Sequence, residues 1–236
     1  MFVDNELHQS NIRRGLVTLF NRVLSKRIIA AICSSMSNNI GRKRADYVFD
    51  HDIIRSSSLE LVAHEIYDKN SAGNTAELGV FRGEFAQKIN LAFPDRKLYL
   101  FDTFEGFAKE DVEQEKMKGY SKKQHNFSKT SEELVLKRMK FPENCIIRKG
   151  YFPETAKNIE DTFVFVSIDA DLYEPIYNGL RYFYPRLAQG GYIFVHDYNN
   201  TKTYPGTKAA VKKYCSEMNI NFFPLSDIAG SAIIMK

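Results

Sequence analysis

Four titratable side chains close two short stretches of this sequence. Val166-Ser-Ile-Asp-Ala-Asp-Leu-Tyr173 ends an apolar run with Asp169 and Asp171, and Gly191-Tyr-Ile-Phe-Val-His-Asp-Tyr198 ends another with His196 and Asp197. Both runs read as buried strands, and a buried carboxylate is costly unless a charge or hydrogen bonds meet it. If the strands lie side by side, about 5 Å apart, Asp169 and Asp197 come together over a crevice at the strand ends. There they repel unless they share a proton or hold a cation. Mg²⁺ suits such a place, because it takes oxygen ligands and keeps waters that a substrate hydroxyl can replace. The competing roles are structural, with Asp171 capping a helix and Asp197 closing a hydrogen-bonded turn.

A second constellation lies upstream, in Ala76-Glu-Leu-Gly-Val-Phe-Arg-Gly-Glu-Phe85. Gly79 and Gly83 follow an apolar strand and open a helix, where missing Cβ atoms let backbone approach a ligand at the helix N-terminus. A tight turn packed for its own sake is the alternative. The spacing departs from the G-x-G-x-x-G of dinucleotide binders, which argues against a dehydrogenase. Glu77, inside the strand, needs a partner, either a cationic ligand or a backbone amide. Asp102, followed by Thr103, closes the next strand 23 residues after Gly79. An acid accepting from both ribose hydroxyls is expected there in a nucleoside site of Rossmann type.

These side chains need a scaffold that gathers strand ends. Short β-rich runs at 75–80, 97–102, 145–149, 163–169, 192–197, 221–225 and 231–235 alternate with helical stretches, which predicts an α/β fold with a doubly wound, mostly parallel sheet. The last two runs leave no room for a helix between them and are expected to form an antiparallel edge hairpin. That arrangement resembles the Rossmann-like class I methyltransferase fold. Two helices precede the sheet, at 11–36 and 57–70, so the chain divides into a helical segment over 1–70 and a main domain over 71–236. Residues 108–129 are charged and lack a hydrophobic period, the pattern of a lid or a disordered loop. Pro205 and Gly206 open a helix beside Asp197, from which Thr207 and Lys208 could reach a substrate. Tyr173, Tyr198 and Tyr204 offer aromatic faces for a sugar ring.

Composition limits the partners. With 44% hydrophobic and 26% charged residues, the 236-residue chain is of ordinary globular type. Residues 1–44 carry eight Lys or Arg against two acids, leaving 25 basic against 27 acidic residues elsewhere. The nearly neutral main domain argues against a nucleic-acid surface. Cys33, Cys145 and Cys215 are too few and too scattered for a disulfide framework or zinc motif. No apolar run approaches the roughly 20 residues of a membrane span, and a cytoplasmic location is expected. The amphipathic stretch 11–36 carries Ile12, Leu16, Leu19, Phe20, Val23 and Leu24 on one side. It is expected to pack on the main domain or on a second subunit, giving a homodimer; membrane-surface contact is the lesser alternative.

The segments Arg55-Ser-Ser-Ser-Leu-Glu-Leu61, Ala76-Glu-Leu-Gly-Val80, Leu100-Phe-Asp-Thr-Phe-Glu-Gly-Phe107, Gly150-Tyr-Phe-Pro-Glu-Thr155, Ile168-Asp-Ala-Asp-Leu-Tyr-Glu174 and His196-Asp-Tyr198 together resemble the macrocin O-methyltransferases. These enzymes use S-adenosylmethionine and Mg²⁺ to methylate sugar hydroxyls. The resemblance implies that Glu77 and Gly79 line the amino acid end of the cofactor, with Ser57 or Ser58 nearby and Gly83 in the same turn. It implies Asp102 and Thr103 at the ribose, Phe152 near the adenine, Asp169 and Asp197 as metal ligands, and Asp171 as general base. His196 departs from the pattern, standing where relatives often have a second acid; imidazole can ligate a divalent metal but suits Mg²⁺ less than carboxylate does. The acceptor is then a sugar or glycosylated small molecule. The rivals are a catechol-type O-methyltransferase and a non-catalytic cofactor-binding or membrane-surface module.

Overall fold

The computed structural model describes residues 52–120 and 126–236. The helix expected over 11–36, with its dimer and membrane contacts, and Cys33 lie outside the described residues. Helix α1 (Ile53–Asp68) starts where the Asp52 carboxylate accepts from the Arg55 amide, an N-cap that supplies a partner to an otherwise orphaned donor. It stops where Asn70 takes a left-handed conformation and Ser71 N–H returns to the Ile66 carbonyl.

The strands are β1 (Asn74–Leu78), β2 (Leu98–Asp102), β3 (Cys145–Lys149), β4 (Phe163–Ile168), β5 (Leu187–Val195), β6 (Phe222–Pro224) and β7 (Ala232–Met235). The helices that follow α1 are α2 (Ala86–Ala92), α3 (Lys109–Met117), α4 (Glu132–Arg138), α5 (Tyr173–Arg186) and α6 (Pro205–Met218). One seven-stranded sheet runs in the order β3-β2-β1-β4-β5-β7-β6. β3 to β5 pair in parallel, and β7 joins antiparallel to both β5 and β6. The expected doubly wound sheet with its edge hairpin is therefore present. β5 begins five residues before the expected 192, and its Gly190 N–H reaches the Lys236 carbonyl at 2.8 Å. Gly190 and Gly191 are thus part of the strand.

Residues 58–236 form one compact unit with a core on each face of the sheet. On one face Ile176, Leu180 and Phe183 of α5 and Val211 and Tyr214 of α6 meet Phe101, Val166 and Ile168. On the other, Leu59, Ile66, Ile89, Phe93 and Val135 meet Leu98, Leu100, Phe165 and Phe194. Each such side chain contributes about 1.5–3 kcal/mol on burial, so both faces hold the strands firmly and leave the strand ends to carry polar groups. No helix among the described residues is long and apolar enough to cross a membrane.

Candidate active site

The register of β4 against β5, with Ile168 opposite Val195, brings the residues after each strand together. His196 N–H donates to the Ile168 carbonyl at 2.9 Å, which fixes the backbone there. His196 Nδ1 lies 2.9 Å from Asp169 Oδ1 and 2.8 Å from Asp197 Oδ2. The donor atoms of these three residues all fall within 4.8 Å of one another. Asn200 Nδ2 donates to the other Asp197 oxygen at 2.6 Å. Two carboxylates and an imidazole aimed at one point form a donor set that fits a divalent cation.

Asp171 completes the group. It is buried, and burial pushes its carboxyl well above the usual range; the charges of Asp169 and Asp197 and a hydrogen bond with Asp197 push the same way, while His196 opposes them. Its φ of 61° and the 57° of Asp197 place both in left-handed backbone, which Asp tolerates better than most residues. Thr207, fully buried, donates to the Asp171 carbonyl at 2.7 Å. The buried Thr207 thus positions Asp171 from behind, and Lys208 donates to Asn199 Oδ1.

The turn after β1 is built differently. Gly79 has φ 86°, and a Cβ there would stand 2.1 Å from the Asp169 carbonyl oxygen. Glycine at 79 is therefore what lets the end of β1 pass the end of β4. Gly83 packs against Val135 and Met139. Asp102 accepts from Val80 N–H and Phe81 N–H on Oδ2, both at 2.8 Å, and from Phe104 N–H on Oδ1 at 2.7 Å. Three of the roughly four lone-pair directions of a carboxylate are thus met by backbone, with room for one further donor on Oδ1. Thr103 Oγ accepts from Glu105 N–H and donates to the Gly106 carbonyl, closing its own turn. Glu77 is buried, and Ser167 Oγ donates to its Oε1 at 3.2 Å from the adjacent strand. Ser57 and Ser58 are half-buried residues of α1.

Several side chains expected at a ligand belong to the core. Phe152 is only 4% exposed and packs among Phe101, Tyr182 and Phe183. Its ring packs mainly into the core on that face of the sheet. Tyr173 stacks on Tyr120 and Tyr177, Tyr198 meets Phe222 edge-on, and Tyr204 meets Phe107.

Within the expected lid, 109–117 is a helix whose buried residues are Asp111 and Glu115. Glu115 Oε2 accepts from Tyr173 N–H at the start of α5, and its Oε1 lies where a Cβ on Gly206 would be, at 2.2 Å. Burial raises the carboxyls of both acids, while the Tyr151 hydroxyl steadies Asp111 and the Tyr173 amide steadies Glu115. The signal in the sequence was two acids four residues apart, a helical period of polar residues where only apolar ones were sought. A cavity of about 480 Å³ lies between α3 and the turn after β2, lined in part by Phe107, Lys109, Val112, Lys116 and Phe127.

Comparison with known proteins agrees with this architecture. The family model described as macrocin O-methyltransferase (TylF) matches residues 49–236. A demethyldecarbamoylnovobiocin O-methyltransferase of Streptomyces niveus is 28% identical over 182 residues, spanning 71% of this chain and 68% of that protein. Among solved structures, the O-methyltransferase NovP superposes with a TM-score of 0.61 at 23% identity, over 78% of this chain and 80% of its own. The calicheamicin methyltransferase CalS11 gives 0.62 at 18% identity, over 97% and 94%. At those identities the two structures establish the fold, which is the Rossmann-like fold of class I methyltransferases. With the family match covering the whole sheet and every residue of the acid cluster, the chain belongs to the macrocin O-methyltransferase family and is an S-adenosylmethionine-dependent O-methyltransferase.

Proposed function

We propose that this enzyme methylates a hydroxyl of a sugar or glycosylated small molecule, with a divalent cation held by Asp169, His196 and Asp197 and with Asp171 as the base. The observation that carries the proposal is the convergence of those four residues at the ends of β4 and β5. The sugar is supported by relatives: CalS11, at a TM-score of 0.56 and 16% identity in a second structure, is a TDP-rhamnose 3'-O-methyltransferase.

When bound, S-adenosylmethionine supplies a methyl group already activated on sulfonium, and a divalent cation lowers the pKa of a hydroxyl it contacts. The chain supplies the rest. Asp171 takes the hydroxyl proton on its carboxylate, and burial and the neighbouring acids raise its pKa above that of an ordinary carboxylate, which makes it a stronger base. Thr207 holds the Asp171 backbone so that the carboxyl keeps its place beside Asp197. On the opposite side, Asp102 keeps acceptor capacity on Oδ1 for the ribose hydroxyls beside its backbone partners. The backbone of the Gly79 turn and buried Glu77 lie toward the amino acid end of the cofactor.

Incubation with S-adenosylmethionine and a panel of nucleotide sugars, glycosides and catechols, read by mass spectrometry, tests the acceptor class. The proposal expects a methyl ether on a sugar hydroxyl. Methyl transfer confined to catechols would replace it with the catechol-type reading; the non-catalytic alternative is already set aside by family membership.

A further inference from the structure

We infer that the Asp169–His196–Asp197 cluster selects a first-row transition ion in place of the Mg²⁺ suggested by the sequence; this rests on the proposal that Asp169 and Asp197 bind a cation. Size is the first argument. Ligands at right angles around an ion with bonds of about 2.0–2.2 Å stand about 3 Å apart, whereas the longer bonds of Ca²⁺ need roughly 3.3–3.7 Å. The imidazole nitrogen stands 2.9 Å and 2.8 Å from the two carboxylate oxygens, a hydrogen-bond spacing that a small six-coordinate ion keeps with little movement of its ligands.

Donor chemistry decides among the small ions. Nδ1 is the ring nitrogen turned toward both acids, and the backbone beneath it is pinned by the bond from His196 N–H to Ile168. An ion bound there exchanges a water for a neutral nitrogen. Mg²⁺ sheds water reluctantly and gains little from imidazole, whereas Co²⁺, Fe²⁺ and Zn²⁺ bind it well. Asn200 holds the outer oxygen of Asp197, so Oδ2 faces the imidazole. Such outer hydrogen bonds set the direction of a ligand and tune its affinity.

The test uses the full-length protein after EDTA treatment, comparing wild type with His196→Asp. Co²⁺ and Mg²⁺ affinities are measured by calorimetry, and the Mn²⁺-loaded proteins are examined by pulsed EPR for coupling to ¹⁴N. The expected result is a Co²⁺-over-Mg²⁺ preference that falls at least about tenfold in His196→Asp, together with a nitrogen coupling present only in wild type. Equal preference in both proteins without nitrogen coupling would overturn the inference while leaving a cation at Asp169 and Asp197. If neither ion binds either protein, the cation site itself falls and the inference with it. Should His196→Asp fail to fold, His196→Asn provides the same comparison, with loss of the nitrogen coupling as the expected result.

Discussion

Asp102 and Asp171 both stand at the carboxyl ends of the parallel strands, with opposite surroundings. Asp102 accepts three backbone N–H groups, so its charge is answered by the fold itself. Asp171 faces Asp169 and Asp197 and is pushed up by burial and by their charges. The first carboxylate shapes a turn. The second is held among like charges, a situation that a proton or a cation relieves, and it can therefore change state during a reaction. Under the proposed function, the difference separates a cofactor side, where backbone already meets the carboxylate, from an acceptor side, where acids face one another.

The largest effect should come from Asp171→Asn. Asn tolerates the left-handed backbone and copies the protonated acid in size, so the variant should fold normally and lose only the base. Turnover should fall by about 10²- to 10⁴-fold with S-adenosylmethionine affinity unchanged; a drop of both together would dissolve the division between the two sides. Gly79→Ala links them, because its Cβ would strike the Asp169 carbonyl. Urea unfolding should show a loss of about 3–5 kcal/mol, and a loss under about 1 kcal/mol would mean that the two strand ends have room to spare. Asp102→Ala should cost about 2 kcal/mol of stability through its stranded backbone donors and weaken cofactor binding in calorimetry. Unchanged stability would show that the three N–H bonds are dispensable.

The smallest effect concerns Glu115, a buried acid that resembles Asp171 in its raised carboxyl but docks a helix. Its folded pKa lies above the ordinary 4.5, so as pH rises the unfolded chain releases this proton first. The stability it contributes is present below 4.5 and is lost as pH climbs through the folded value. Glu115→Gln should therefore flatten the decline of Tm with pH in this window. An identical slope in both proteins would assign the decline to other groups. The comparison also shows why a raised carboxyl alone is weak evidence of catalysis: Glu115 meets an amide and a helix start, Asp171 meets an imidazole and two acids.

How far the sequence reached follows the same physics. Strand β3 carries the bounds expected from its apolar run, and the neighbouring placement of Asp169 and Asp197 was legible because adjacent parallel strands bring their carboxyl ends together. What one sequence hides is packing. Phe152 and Thr207 were expected to face a ligand, yet one fills the sheet face and the other bonds to main chain. The purpose of Gly79 was half visible: its spacing marked a turn, but only the close approach of the β1 and β4 ends shows what its missing Cβ avoids. The helix in 109–117 escaped because its buried stripe is acidic.

The central claim is that the acids after β4 and β5 hold a cation against the reacting hydroxyl. Methyl transfer to a sugar acceptor, measured after EDTA dialysis and again after divalent ions are added back, addresses it directly. The account predicts that activity disappears on dialysis and returns with added ion. Full activity in the presence of EDTA, unaltered by any added cation, would contradict it.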